Sequence, residues 1–331
     1  MIRKQLPILI VLSGLIFVGC EPIPLAMPTP EVIIITAVPS ATPLPTPTEA
    51  PTRTPIPTLT PVNSPTPTPP PCEEETGQIV KIERFESVIA QENMRYWVYV
   101  PPCYTKTQRR YPVVWLIHGA AAREDQWETL GALTAADQGF RLGALPPMIL
   151  VMPYVGSIGT NSTFPPDPAF ESVVIEELLP ALDRDFCTYA NRDYRAIGGI
   201  SRGGFWAYSI GLRHPDVFGI IGGHSAYFTE DLSEIPAPFN PLDLASNDAN
   251  LPTNRQRLYI DNGAQDPSGR MIENFSTRLT ERNIPHTYII NPVGDHDEQY
   301  WSAHVTEYLA FYGRNWPRNA DELPSCLEPS P

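Results

Sequence analysis

Six short runs of nearly unbroken apolar residues recur from residue 111 onward: "YPVVWLIHG", "MILVMPY", "YRAIGGIS", "FGIIGGHSAYF", "RQRLYIDNG" and "HTYIINPVG". Apolar runs without polar alternation suit strands covered on both faces, as in a parallel sheet. Between them the period changes. "FESVVIEELLPALDRDF" places Val174, Leu178, Leu179 and Leu182 on one side of a helix, "RGGFWAYSIGLRHP" continues helically, and "DEQYWSAHVTEYLAFYGR" closes the pattern. Upstream, "QIVKIERFESVIA" and "MRYWVYVPP" read as two β-rich runs joined by "QEN" into a hairpin. Strands alternating with helices predict an α/β domain with a mostly parallel central sheet and helices on both faces. Chemistry in such sheets gathers at the carboxyl ends of the strands.

The first 71 residues follow other rules. Arg3 and Lys4 precede the apolar "LPILIVLSGLIFVG", the pattern of a signal peptide over residues 1–19. "FVGC" resembles a bacterial lipobox, which makes Cys20 the expected lipidated start of the mature chain; ordinary secretion with Cys20 unmodified is the alternative. Residues 21–71 hold 17 Pro and 11 Thr. Proline cannot donate to a helix or sheet, and so little apolar side chain cannot form a core, so a disordered linker is expected from 20 to 71. Within it "VIIITAV" is apolar but, with proline on both sides, too short to fold alone.

The remaining residues, 72–331, suffice for one α/β domain with a large core. Arg3, Lys4 and Arg53 cancel Glu21, Glu31 and Glu49, so the whole formal charge of −14 lies on this domain. That balance excludes nucleic acid and an anionic membrane surface as partners and leaves the lipid anchor as the expected membrane contact. Cys72, Cys103, Cys187 and Cys326 have no metal-type spacing and fit an exported, disulfide-bonded protein. Four cysteines allow three connectivities; Cys103–Cys187 with Cys72–Cys326 is the preferred one. The expected location is the cell surface or the outer face of the bacterial cytoplasmic membrane.

"GISRG", residues 199–203, is a G-x-S-x-G sequence between a predicted strand and a predicted helix. A strand turning sharply into a helix lifts Ser201 clear, and Gly199 and Gly203 remove the side chains that would collide. The hydroxyl needs a base. Of the six histidines, His296 follows the last strand on the edge that carries Ser201. His224, near the end of its own strand, is the rival; His118, His214, His286 and His304 are placed less favourably. Asp266, just past the penultimate strand, is the candidate acid, with Asp261 still inside the strand and Asp295 and Asp297 flanking the histidine. A metal site from Asp295, His296, Asp297 and Glu298 has no second ligand cluster behind it. The N–H groups of Arg202 and of Ala120 or Ala121 are the candidate oxyanion donors; the Arg202 side chain either lines the pocket or pairs with a surface carboxylate.

These motifs, in this order, resemble the esterase branch of the α/β-hydrolase fold that includes feruloyl and acetylxylan esterases, S-formylglutathione hydrolase, siderophore esterases and mycolyltransferases. The resemblance runs over most of residues 79–312, through "YPVVWLIHGAAAREDQW", "VIEELLPALDRDF", "RAIGGISRGGFWA", "NGAQD" and "GDHDEQYW". It implies Ser201 as nucleophile, Asp266 as acid and His296 as base, maps the "HG" loop onto His118, Gly119, Ala120 and Ala121, and makes Trp127 an aromatic landmark. The expected function is an exported serine esterase acting on a small-molecule or carbohydrate ester. Acyl transfer to a sugar or lipid alcohol by the same residues, or a non-catalytic surface binding protein on this scaffold, are the alternatives. No cofactor and no metal are implied. Residues 155–169 and 229–254 are the expected specificity loops, with Trp127, Tyr154, Phe164, Trp206, Tyr227 and Trp301 as ring-stacking candidates.

Overall fold

The computed structural model describes residues 31–35 and 73–328. The signal-peptide reading, Cys20, most of the linker and Cys72 lie outside the described residues. The strands are β1 (Glu31–Ile35), β2 (Gln78–Ile82), β3 (Tyr96–Val100), β4 (Val113–Ile117), β5 (Ile149–Pro153), β6 (Arg195–Ile200), β7 (Ile220–His224), β8 (Arg257–Gly263) and β9 (His286–Asn291). They form one sheet in the order β1-β9-β8-β7-β6-β4-β5-β3-β2. The six strands from β5 to β9 through β4 pair in parallel; β3, β2 and β1 add antiparallel edges.

The unbroken apolar runs have the predicted cause. In β4, Val113, Trp115 and Ile117 enter one core and Val114 and Leu116 the other, each nearly inaccessible to solvent. The helices Arg202–Arg213 and Gly269–Glu281 cover the first face, while Ala132–Arg141 and Glu298–Gly313 cover the second. Among the described residues no helix is long and apolar enough to cross a membrane.

Several elements depart from the sequence pattern for identifiable reasons. β2 and β3 do pair as antiparallel neighbours, but "FESVIA" leaves the strand. Glu177 accepts from the Ser87 hydroxyl and from the N–H groups of Val88 and Ile89, supplying to that turn the partners a strand would otherwise provide. The predicted helix from Phe170 contains a π-helical segment, Val173–Leu178, before Leu179–Asp185. Pro180 lacks an N–H and crowds the carbonyl one turn back, which the wider turn accommodates. Inside the proline-rich stretch, Glu31–Ile35 pairs with β9: an existing sheet edge provides the hydrogen-bond partners that so short a run lacks by itself.

The expected Cys103–Cys187 and Cys72–Cys326 bridges are both corrected by the structure: Cys187 is bonded to Cys326, with Cα atoms 5.6 Å apart. The C-terminal segment returns beside residues 108–111, where Cys326 N–H donates to Gln108 O at 2.7 Å and Arg110 N–H to Pro324 O at 2.8 Å. Tyr111 in turn bridges to Thr188, so the two sulfurs meet through a neighbouring strand-like segment that sequence spacing does not reveal. Cys103 is disulfide-bonded as well.

The Cys187–Cys326 bridge spans a separation of 139 residues and so restricts the unfolded chain strongly. Cys326→Ser is expected to lower unfolding free energy by about 2–4 kcal/mol, read as a lower midpoint in urea with activity retained in the folded fraction. An unchanged midpoint would show that the returning segment is held by its backbone contacts alone.

Candidate active site

β6 runs straight into the helix Arg202–Arg213, and Ser201 joins them at φ 54°, ψ −118°. This positive φ is costly for a residue with a side chain and persists only where the surroundings impose it. They do so on three sides. Ser201 N–H donates to His224 O at 2.9 Å, its carbonyl accepts from Tyr227 N–H at 2.9 Å, and the helix takes the same carbonyl through Phe205 N–H. A Cβ on Gly199 would lie 2.3 Å from the Gly203 carbonyl carbon, and one on Gly203 would lie 2.2 Å from Ile117 O. Only glycine fits either position.

His296 reaches Ser201 from the loop between β9 and the helix Glu298–Gly313. Its Nε2 lies 2.9 Å from Ser201 Oγ and its Nδ1 3.0 Å from Asp266 Oδ1. An ionised carboxylate only accepts, so Nδ1 carries the proton and Nε2 is left to accept from the serine hydroxyl. Asp266 Oδ1 also accepts from Ser268 N–H at 2.7 Å. Burial pushes the Asp266 carboxyl up, but hydrogen bonds from His296, Ser225 and Ser268 outweigh it and hold the group below the ordinary carboxylate value. The Trp301 ring meets the imidazole edge-on, with centroids 5.2 Å apart.

The neighbouring acids serve the backbone. Asp295 accepts from His296 N–H at 2.7 Å, and Asp297 caps the following helix by accepting from Tyr300 N–H at 2.8 Å. The four residues of the considered metal site therefore do not converge. Among the described residues no three His, Cys, Asp or Glu side chains form a metal-like group.

The rival histidine belongs to a different network. His224 is wholly buried, with Nδ1 2.8 Å from Asp261 Oδ1 and Nε2 2.8 Å from the Tyr312 hydroxyl. Asp261 Oδ2 accepts from the hydroxyls of Tyr300 and Tyr308. This second His–Asp pair ties β7 and β8 to the helix Glu298–Gly313, on whose N-terminal side the His296 loop sits. His214 pairs with Glu171, His286 with Ser276, and His304 with Glu307.

Arg202 N–H, first in its helix, has no hydrogen-bond partner among the described residues, and neither has Ala120 N–H. The Gly119 carbonyl accepts from His118 Nδ1 at 2.7 Å and from Ala122 N–H at 3.1 Å. In a trans peptide the N–H points opposite to the carbonyl, so these two bonds aim Ala120 N–H away from them. Ala120 lines the cavity beside Ser201 and Ala121 does not. His118 Nε2 accepts from Val155 N–H at 3.2 Å, and burial lowers the imidazole pKa despite the Gly119 contact, keeping the ring neutral. From the sequence this loop offers only backbone N–H groups as candidates. The orienting role of the His118 side chain had no sequence signal beyond the "HG" pair itself.

The cavity at Ser201 encloses about 320 Å³. Val155, Gly159 and Trp206 give it an apolar wall, and Thr160, Tyr227 and Arg202 add polar groups. Of the ring-stacking candidates, Trp206 and Tyr227 line it. Trp127 is buried and donates to Ile117 O, Trp301 donates to Ser225, Phe164 stacks on Phe239 and Tyr154 on His118.

The chain has relatives among known proteins. A family model described as "Putative esterase" matches residues 87–312. Over 151 residues the chain is 36% identical to an endo-1,4-beta-xylanase/feruloyl esterase of Xylanibacter ruminicola, covering 41% of this chain and 20% of that protein. It is 34% identical over 146 residues to an esterase of Mycobacterium tuberculosis, covering 43% of this chain and 31% of the other. The chain thus spans between a fifth and a third of the length of these curated relatives. Among solved structures, a ferulic acid esterase superposes with a TM-score of 0.66 at 21% identity, over 73% of this chain and 99% of that one. That likeness shows the α/β-hydrolase fold.

Because the Asp266 carboxyl titrates below its ordinary value in the folded protein, it contributes stability above the unfolded carboxylate range. That contribution is lost as pH falls through the lowered value. Asp266→Asn, which has no such titration, is expected to lose less stability than the unmodified protein between about pH 6 and about pH 3, measured by urea unfolding. Equal losses would show that the carboxylate is not held low.

Proposed function

This chain belongs to the Esterase family, and from that premise we propose that it is an exported serine hydrolase of carboxylic esters in which Ser201, His296 and Asp266 act as nucleophile, base and acid. The observation that carries the reading is the continuous contact from Asp266 through His296 to Ser201, ending beside two N–H groups that have no partner among the described residues. His296 Nε2 takes the hydroxyl proton as Ser201 Oγ attacks the ester carbonyl. The carbonyl oxygen becomes an oxyanion and is held by the N–H groups of Arg202 and Ala120. Asp266 stabilises the imidazolium and fixes its tautomer. His296 then gives the proton to the leaving alcohol. Water repeats the sequence on the acyl-enzyme, releasing the acid and restoring the serine.

The substrate we assign is an ester of a compact, largely apolar acyl group. The relatives' names include feruloyl esterases, and a cavity of about 320 Å³ walled by Trp206 accommodates an aromatic acid of that kind. Export is supported by the signal-type N-terminus and by the disulfides; attachment through Cys20 and a proline-rich spacer to the domain beginning at residue 72 completes the proposal.

Ser201→Ala is expected to reduce turnover of p-nitrophenyl acetate and of methyl ferulate by at least about 10³-fold while leaving the urea midpoint nearly unchanged. Undiminished turnover of both esters by the variant would remove Ser201 from the reaction.

A further inference from the structure

The two expected specificity loops, residues 155–169 and 229–254, meet on one guanidinium. Arg202 lines the same cavity as Ser201. Its Nη1 donates to Glu234 Oε1 at 3.0 Å, and its Nη2 donates to the Ser162 hydroxyl. Ser162 lies in the loop after β5 and Glu234 in the loop after β7. Tyr227, also on the cavity wall, donates its hydroxyl to Glu234 Oε2 at 2.9 Å. The Arg202 guanidinium carbon sits 5.1 Å from the centroid of the Tyr227 ring. The Arg202 side chain is 17% exposed and that of Glu234 38%. The cation is thus drawn out of water, while its counter-charge is partly exposed and bonded to two residues of the pocket wall.

The wall carries little other charge. His118 is held neutral by burial, and the remaining lining groups are apolar, amide or hydroxyl. Without Glu234 the cavity would present a partly desolvated guanidinium to any bound acyl chain. With Glu234 in place, Nη1 is engaged by the carboxylate and Nη2 by the Ser162 hydroxyl, and an approaching carboxylate meets a like charge. Discrimination of this kind depends on a repulsive element as much as on an attractive one.

We infer that Glu234 determines acyl specificity: by occupying Arg202 it admits uncharged acyl groups and turns away those that end in a carboxylate. The inference rests on the reading of Ser201 as an esterase nucleophile, and it names the discriminating charge in that site. Arg202 contributes its backbone N–H to the oxyanion and its side chain to the same wall, so Glu234 is the residue through which the two functions can be separated.

The test compares 4-nitrophenyl butyrate with mono-4-nitrophenyl succinate, similar in length and differing in a terminal carboxylate, using the full-length protein and its Glu234→Gln and Glu234→Asp variants. The ratio of kcat/KM for the succinate to that for the butyrate is expected to rise by about tenfold in Glu234→Gln. The gain should shrink as sodium chloride is raised, because the new pairing is partly exposed. Glu234→Asp, which keeps the charge, should stay near the unmodified ratio. A purely structural role would alter both variants alike and both esters together. A ratio within twofold of the unmodified protein in Glu234→Gln would overturn the inference.

Titration of the same proteins with succinate, followed by tryptophan fluorescence because Trp206 lines the cavity, reads the charge effect without turnover. Tighter succinate binding in Glu234→Gln by about fivefold or more supports the inference, and equal binding refutes it. Absence of butyrate turnover in every protein would count against the esterase reading, while the titration would still decide the role of Glu234.

Discussion

Ser201 keeps its left-handed backbone because the chain around it has no room to relax. The Gly203 backbone presses against both Gly199 and the Ile117 carbonyl, so β4, β6 and the helix Arg202–Arg213 are locked at one crossing. Each of the site's working groups is referenced to that crossing. The serine hydroxyl stands at its tip, the Arg202 N–H follows directly, and Gly119, at the end of β4, lies close enough that a Cβ there would be 3.6 Å from Ser201 Cβ. Loosening the crossing would therefore shift the proposed nucleophile and the proposed oxyanion donors together. The strain is borne by the surrounding core: Ile117, Ile200 and Phe205 are each almost fully buried.

Two His–Asp pairs lie at the ends of adjacent strands, and their surroundings give them different work. His224 and Asp261 are both completely buried and fully engaged, with Tyr300, Tyr308 and Tyr312 taking up the remaining hydrogen-bonding capacity. A buried polar network with every member satisfied rigidifies the elements it joins. Here it holds the carboxyl ends of β7 and β8 against the C-terminal helix. His296 is a quarter exposed, paired on one side with a buried carboxylate and on the other with the serine. Proton exchange at that nitrogen needs access from outside, which the partly exposed ring provides. Identical residue types thus act as a brace in one place and as the proposed base in the other.

The cavity is bounded by segments from separate parts of the chain. Trp206 donates to Gly159 O at 3.1 Å, and Phe164 stacks on Phe239 with centroids 4.8 Å apart. Arg202 adds the polar link, to Ser162 on one loop and to Glu234 on the other. Rigid apolar contacts set the volume, and the ion pair sets the charge seen by a ligand. On this view the acyl group is selected by loops, while the chemistry is held by strand ends, the division expected of sites carried on α/β sheets.

The amino-acid sequence by itself determined the layered α/β architecture, because strands covered on both faces must be apolar throughout and helices between them must carry a period near 3.6. It also singled out Ser201 and placed Asp266 and His296 among the candidates for its partners, since a glycine-flanked serine between strand and helix and polar residues just past later strands are local patterns. Only the tertiary structure decided which histidine touches the serine, which of Ala120 and Ala121 faces the cavity, and that Cys187 meets Cys326 rather than Cys103. The roles of His118 and Glu234 were equally hidden. Each of these depends on the approach of segments tens to more than a hundred residues apart, and through-space distance, unlike hydrophobic period or turn chemistry, leaves no periodic mark along a chain.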